Sequence, residues 1–261
     1  MGRLLELVAT SATPLLWLDD TAYAGRLLAG GHPPWNDTTA AIAHLRSALG
    51  LLRSDVAVMD VWSALQSWRG AHPGPPADPR TAERPERAVR RLLEDPAWQA
   101  HMVTLVQGLG AAASGRPVAL VMPGPLAWLM AQMPAQAVDE DALDAVAVYM
   151  AAFLRAFAEV RLDVLLLDER MGPTPYDLLS PVLNLARHYR WDFGRRLQQV
   201  ENDPSEGFVI APQGGLGVEL GPAFWAGAPA QAIPAGGFRF AEIPVDAVPE
   251  TVLARLRPLW R

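Results

Sequence analysis

The sequence predicts an α/β fold of the (β/α)8 TIM-barrel type, with some units incomplete or shortened. Short apolar runs recur along the 261 residues, most of them separated by stretches with helical periodicity. That order builds parallel sheets through right-handed βαβ units. Several runs also end in acids. PLLWL at Pro14 to Leu18 meets Asp19 and Asp20, DVAVMDVW at Asp55 to Trp62 holds Asp60, and VLLL at Val164 to Leu167 meets Asp168. Ligands bind at the carboxyl ends of parallel strands, and acids after several strands favour a barrel over an open sheet, which needs them mainly at one switch point.

Taken in order, PLLWL reads as the first buried strand. The Gly- and Pro-rich TAYAGRLLAGGHPPWND after it reads as a loop over one end of the domain. Asp37, Thr38 or Thr39 can cap a helix through AAIAHLRSALGLL, whose Ile42, Leu45, Leu49 and Leu52 recur at helical spacing. The second strand follows at once. Arg69 to Glu86, dense in Pro and charge, reads as a loop, either a lid or a linker. From Arg87 to Ala113 the pattern is helical, restarted at Asp95-Pro96, where proline suits a first turn.

PVALVM at Pro117 to Met122 is a third strand, closed by Pro123-Gly124-Pro125 and followed by the helix LAWLMAQM. Asp139 opens a long amphipathic helix with acids in its first turn. It leads to RLDVLLLDERMGPTP at Arg161 to Pro175, four aliphatics running into Asp168, Glu169 and Arg170 before Gly and Pro end regular structure. Beyond it lie a helix broken at Pro181, the cluster His188, Tyr189, Arg190 and Trp191, a weaker strand RRLQQV, the strand GFVIAP, and the glycine-rich QGGLGVELG, whose QGGLG at Gln213 to Gly217 is read as a turn between strand and helix. A last strand FRFAEIP and the helix PETVLARLRPLW close the chain. Residues 1–261 are expected to form one domain.

Composition narrows the chemistry. All 22 residues counted as Lys or Arg are Arg, and there is no Cys. Schiff-base and internal pyridoxal phosphate linkages therefore have no amine, and thiolate nucleophiles and zinc-thiolate sites have no sulfur. A net charge of -6 without a basic run argues against nucleic acid as a partner. No window approaches the roughly 20 apolar residues of a membrane span, and the amino terminus lacks the apolar core of a signal peptide, so a cytoplasmic protein is expected. The expected partner is a small-molecule substrate, with a homodimer left open.

Four pieces resemble the superfamily of uroporphyrinogen decarboxylase and cobalamin-independent methionine synthase, which are TIM barrels. AYAGRLL at Ala22 to Leu28 is similar to the second half of the decarboxylase's RQAGRY loop, and RSDVAVMD at Arg53 to Asp60 to its FSDIL strand. PVALVMPGPLAWLM resembles the family's strand and Gly-Pro turn, and VRLDVLLLDER the strand that follows a long helix and ends in an acid. The resemblance implies that Arg26 contacts substrate carboxylates and that Asp55 orients the substrate. The first Arg and the Gln of the loop correspond here to Ala22 and Tyr23, and the methyltransferase branch's zinc-binding Cys has no counterpart.

The residues and the resemblance together single out a set of candidate groups. Asp168, Glu169, Asp55 and His188 are the candidate catalytic groups, since carboxyls gathered in a partly dry pocket repel one another and keep a proton near neutrality. Arg26 and Arg170 are candidates to hold a substrate carboxylate by bidentate pairing. Asp19, Asp60, Trp62 and Trp191 complete the binding candidates, and the nine Trp suit a planar ligand. The expected function is cofactor-free acid catalysis on a carboxylated, planar or aromatic metabolite. A non-catalytic carrier is the first alternative. A lyase or transferase assisted by Mg²⁺ or Mn²⁺, bound by these acids with or without His188, is the second.

Overall fold

The computed structural model describes residues 2–73, 84–132, 138–200 and 206–260. Eight strands form one parallel sheet: β1 (Leu16–Asp19), β2 (Ala57–Asp60), β3 (Val118–Pro123), β4 (Val164–Asp168), β5 (Asp192–Arg196), β6 (Phe208–Ala211), β7 (Gly217–Glu219) and β8 (Phe238–Glu242). Their order is β1-β8-β7-β6-β5-β4-β3-β2, each neighbour parallel to the next. The sheet curls into a nearly closed barrel surrounded by helices, the TIM-barrel-like fold expected from the sequence.

Between β1 and β2 the ring closes through polar groups instead of a ladder. The Asp55 N–H donates to the Leu16 carbonyl at 2.8 Å, and the Leu16 N–H donates to Asp55 Oδ2 at 2.8 Å. The Leu18 N–H donates to the Ser54 hydroxyl at 3.0 Å, and that hydroxyl donates to the Val56 carbonyl at 2.7 Å.

Alternation along each strand sorts the residues into two environments. Trp17, Val56, Val58, Ala119, Val164, Leu166, Phe208, Ile210, Phe238 and Phe240 fill the lumen. Trp17 stacks on Phe238 with centroids 6.0 Å apart and meets Phe240 edge-on at 5.8 Å, so it serves as core and not as the wall of a ligand pocket. Gly194 makes room for this plug, because a Cβ there would sit 2.3 Å from the Phe208 ring. Residues of the opposite parity, such as Met59, Leu120, Leu165 and Leu167, face the helices.

Those helices are α1 (Arg3–Thr10), α2 (Thr21–Ala29), α3 (Thr38–Leu52), α4 (Val61–Ala71), α5 (Pro85–Leu93), α6 (Pro96–Ala112), α7 (Pro125–Gln132), α8 (Glu140–Leu154), α9 (Ser180–Tyr189), α10 (Pro222–Trp225) and α11 (Pro249–Leu256). Asp37, Asp60, Asp95 and Asp139 cap α3, α4, α6 and α8 through their carboxylates. The helical cover thins beyond β5. Residues 212–216 alone join β6 to β7, and the single turn α10 stands between β7 and β8, which are shortened units of the expected kind.

Three local readings change. TAYAGRLLA forms α2 and not a loop, because Tyr23, Ala24 and Gly25 bury against the barrel. The fifth strand is DFGRR, earlier than RRLQQV, since α9 ends at Tyr189 with Arg190 left-handed. GVE inside the glycine-rich QGGLGVELG is β7. Most of the expected Pro-rich loop, at 74–83, lies outside the described residues, while its ends belong to α4 and α5. Among the described residues no helix is long and apolar enough to cross a membrane.

Helix α1 closes the amino-terminal end of the lumen with Leu4 and Val8. Buried Asp192 holds it there, accepting from the Gly2 N–H at 2.8 Å and the Leu5 N–H at 3.0 Å. An anion at a helix amino terminus is favoured by unpaired N–H groups and by the helix dipole. Asp192→Ala should lower stability by about 1–3 kcal/mol by stranding those donors, measurable as a reduced urea midpoint with an unchanged m-value.

Candidate active site

Six strands deliver ionisable residues to the carboxyl-terminal mouth of the barrel. Asp19 ends β1, Asp60 β2, Asp168 β4, Arg196 β5, Glu219 β7 and Glu242 β8. Arg170, two residues beyond β4, reaches back over them.

Arg196 is the hub. Its side chain is 2% exposed and its guanidinium carbon lies 4.5 Å over the Phe240 ring. Nε donates to Glu219 at 3.3 Å, and Nη2 donates to Glu219 and, at 2.6 Å, to Glu242 Oε2. Nη1 points between Asp19 at 3.7 Å and Asp168 at 4.0 Å. Arg170 grips Asp168 with two parallel bonds, Nε to Oδ1 at 2.9 Å and Nη2 to Oδ2 at 2.7 Å, and donates Nη1 to Glu242 Oε2 at 2.9 Å. Such forks fix geometry as well as charge.

Carboxyls outnumber these two guanidiniums, and the surplus sits on the β1–β2 side. Burial, then the neighbouring Asp19 and Asp168, push Asp60 up to about 7, although its Oδ1 accepts from the Trp62 N–H at 2.8 Å and the Ser63 N–H at 3.1 Å. Asp20, next to Asp19 in the chain, is likewise pushed to about 7 by burial and by Asp19. Burial also raises Asp19, against the pull of Arg196. The opposite side behaves otherwise. Burial works against Asp168 and Glu242 too, but Arg170 and Arg196 hold both below the usual carboxylate range. The mouth therefore carries acids that hold their proton more tightly than usual and acids that hold it less tightly side by side.

The structure brings together Asp19, Asp60, Asp168 and Arg170 from among the sequence candidates, and places the others elsewhere. Asp55 precedes β2 and closes the seam at the amino-terminal end. His188, exposed at the end of α9, and Trp191, just before β5 beside Tyr189, lie at that end too. Arg26 is exposed on α2 and donates to the Ala247 carbonyl at 2.8 Å. Trp62 packs edge-on against Trp128, centroids 5.5 Å apart, on the helix side of the sheet.

Glu169 faces away from its neighbour Asp168, because adjacent strand-end residues point to opposite faces. Its carboxylate ion-pairs with Arg195 and accepts from the Thr174 N–H at 3.1 Å. Arg195 donates to the Thr174 carbonyl at 2.7 Å and lies 4.6 Å over the Tyr176 ring. The pair pins the loop after β4 behind the sheet. Burial raises Glu169, with Arg195 opposing it.

Arg196, Glu219 and Glu242 were missing from the sequence candidates. Their signal was present: GVE and FRFAE end in an acid as the selected strands do, and Arg195-Arg196 sit where alternation must send one side chain inward. The guanidiniums are interleaved with the acids, and among the described residues no three His, Asp or Glu are grouped to hold a metal ion. A scan of protein-family models finds no match for this chain, and a search of curated proteins finds none.

Proposed function

We propose that the barrel mouth is the active site of an enzyme that decarboxylates a carboxylated, planar or aromatic small metabolite by cofactor-free acid catalysis, in the manner of uroporphyrinogen decarboxylase. One observation carries the reading: Asp60, raised to about 7, stands near Asp168, held low by Arg170. Two carboxyls driven apart in one pocket divide into a proton donor and a fixed charge. Loss of carbon dioxide leaves an electron pair on carbon, and Asp60 in its acid form supplies the proton that ends the reaction. Arg170, whose side chain is 37% exposed, is the cation a substrate carboxylate meets first. The reading rests on this geometry more than on the motif resemblance, since Arg26 and Asp55 stand outside the mouth.

The test is a panel of arylacetic, arylmalonic, aroylacetic and pyrrole-carboxylic acids incubated with the purified protein in deuterium oxide. At least one is expected to release carbon dioxide and to gain one deuteron at the carbon that lost it. Failure of every acid in the panel would count against the reading.

A further inference from the structure

The two guanidiniums of the mouth differ in depth and in what they have left to offer. Arg170 lies at the outer edge. Its fork to Asp168 is bidentate, whereas its bond to Glu242 joins side chains 37% and 46% exposed. Exposed pairs of that kind exchange at little cost, so an incoming carboxylate can replace Glu242 on Arg170 without disturbing the fork. Glu242 keeps its 2.6 Å bond to Arg196 throughout.

Arg196 lies beneath. Glu219 and Glu242 occupy its Nε and Nη2, while Nη1 makes no hydrogen bond among the described residues, its nearest acids being 3.7 and 4.0 Å away. Nη1 is not one of the fully buried atoms left without a partner, so it keeps some contact with solvent, through which an incoming acceptor can reach it. A second carboxylate is a poor occupant, since together with the one on Arg170 it would bring two charges to a mouth whose carboxyls already outnumber its guanidiniums. A carbonyl oxygen arrives with only partial charge and takes on more only as the carboxylate loses its own. Both guanidiniums bond to one atom, Glu242 Oε2, so they stand a single oxygen apart. Asp60 lies close enough to Asp19 and Asp168, the acids flanking Nη1, to feel the charge of both.

Building on the decarboxylase reading, we infer that the substrate is a 3-keto carboxylic acid, bound with its carboxylate on Arg170 and its keto oxygen on Nη1 of Arg196. The class keeps its two groups close, one methylene apart, as the site requires: Asp168 Oδ2 lies 2.7 Å from Arg170 Nη2 and 4.0 Å from Arg196 Nη1. The bond between the carboxylate carbon and the methylene breaks, carbon dioxide leaves, and the electron pair moves into an enolate whose oxygen rests on Nη1. Asp60 gives its proton to the carbon, forming the ketone, and regains one from water. Substrate charge moves from carboxylate to oxygen and is then neutralised, so no oxidant, reductant or co-reactant beyond a solvent proton is needed.

The experiment compares benzoylacetate with phenylmalonate, which carries a second carboxylate in place of the ketone. Benzoylacetate is expected to give acetophenone and carbon dioxide above its spontaneous rate, at least about 100-fold faster than phenylmalonate. Arg196→Lys, which keeps the charge but not the Nη1 arm, should lower kcat on benzoylacetate about 100-fold, and Arg170→Gln should mainly raise KM. Equal or faster turnover of phenylmalonate overturns the keto-acid assignment and leaves the decarboxylase reading standing. So does full kcat in Arg196→Lys. Turnover of neither acid overturns the assignment too, while the wider panel judges decarboxylation itself. If Arg196→Lys does not fold, the two-substrate comparison on the unaltered protein still decides.

Discussion

Asp60→Asn is expected to lower turnover by about 10²–10⁴-fold, the usual worth of a positioned general acid, while the barrel stays folded. The structure separates the two roles of this side chain. Oδ1 caps α4 through the Trp62 and Ser63 N–H groups, and an Asn carbonyl accepts those bonds equally well. Only the proton is lost. In the unaltered protein the rate should fall as pH rises through about 7, where Asp60 gives up that proton, and the residual rate of the variant should lose this dependence.

Stability gives the same group a second readout. A carboxyl whose pKa is raised on folding binds its proton more tightly in the folded state, so its contribution is complete below the unfolded value near 4 and is lost as pH rises through about 7. Asp20 adds to this slope, while Asp168 and Glu242, lowered on folding, lose theirs in acid. Melting temperature should therefore peak between these limits, and Asp60→Asn should flatten the decline on the alkaline side. An unchanged kcat, or an unchanged melting profile between pH 5 and 8, would remove Asp60 from the proton-donor role.

Arg195→Met is expected to destabilise the protein by about 3–5 kcal/mol, the cost of stranding one partner of a buried ion pair. The side chains of Arg195 and Glu169 are 5% and 0% exposed, so among the described residues Thr174 would remain to satisfy Glu169. Adding Glu169→Met should recover most of the loss, because replacing both charges with apolar groups of similar size is often close to neutral. Urea unfolding of the two single variants and the double variant closes the cycle. A double variant no more stable than Arg195→Met would mean that the pair does not act as a unit.

The fold was legible because parallel strands buried on both faces leave an unmistakable trace: PVALVM and VLLL admit no amphipathic reading. The mouth was legible where an apolar run of four or more residues ended in Asp. It faded where strands were short, since the three residues of β7 are too few to show any period within QGGLGVELG. Direction also misled. Asp55 precedes its apolar run while Asp60 ends it, which puts them at opposite ends of one strand, and His188 and Trp191 likewise enter β5 from below. Face was the third obstacle: Asp168 and Glu169 look alike in a sequence, yet alternation sends one to the lumen and the other behind the sheet. Pairing across the barrel, as of Arg196 with acids from β1, β4, β7 and β8, depends on contacts that no local window contains.

The seam between β1 and β2 gives the barrel an uneven stiffness. Seven of its eight interstrand joints are ladders, and among the described residues the eighth is fastened by Ser54 and Asp55, which bond Leu18 and Leu16. Asp19 and Asp60 crown the two strands that border it. When both ionise, their repulsion acts just above the bond to Leu18, where no ladder joins the two strands, so loss of a proton becomes a force that spreads the rim. Protonation relaxes it, and the joint without a ladder is bordered by two acids that burial raises.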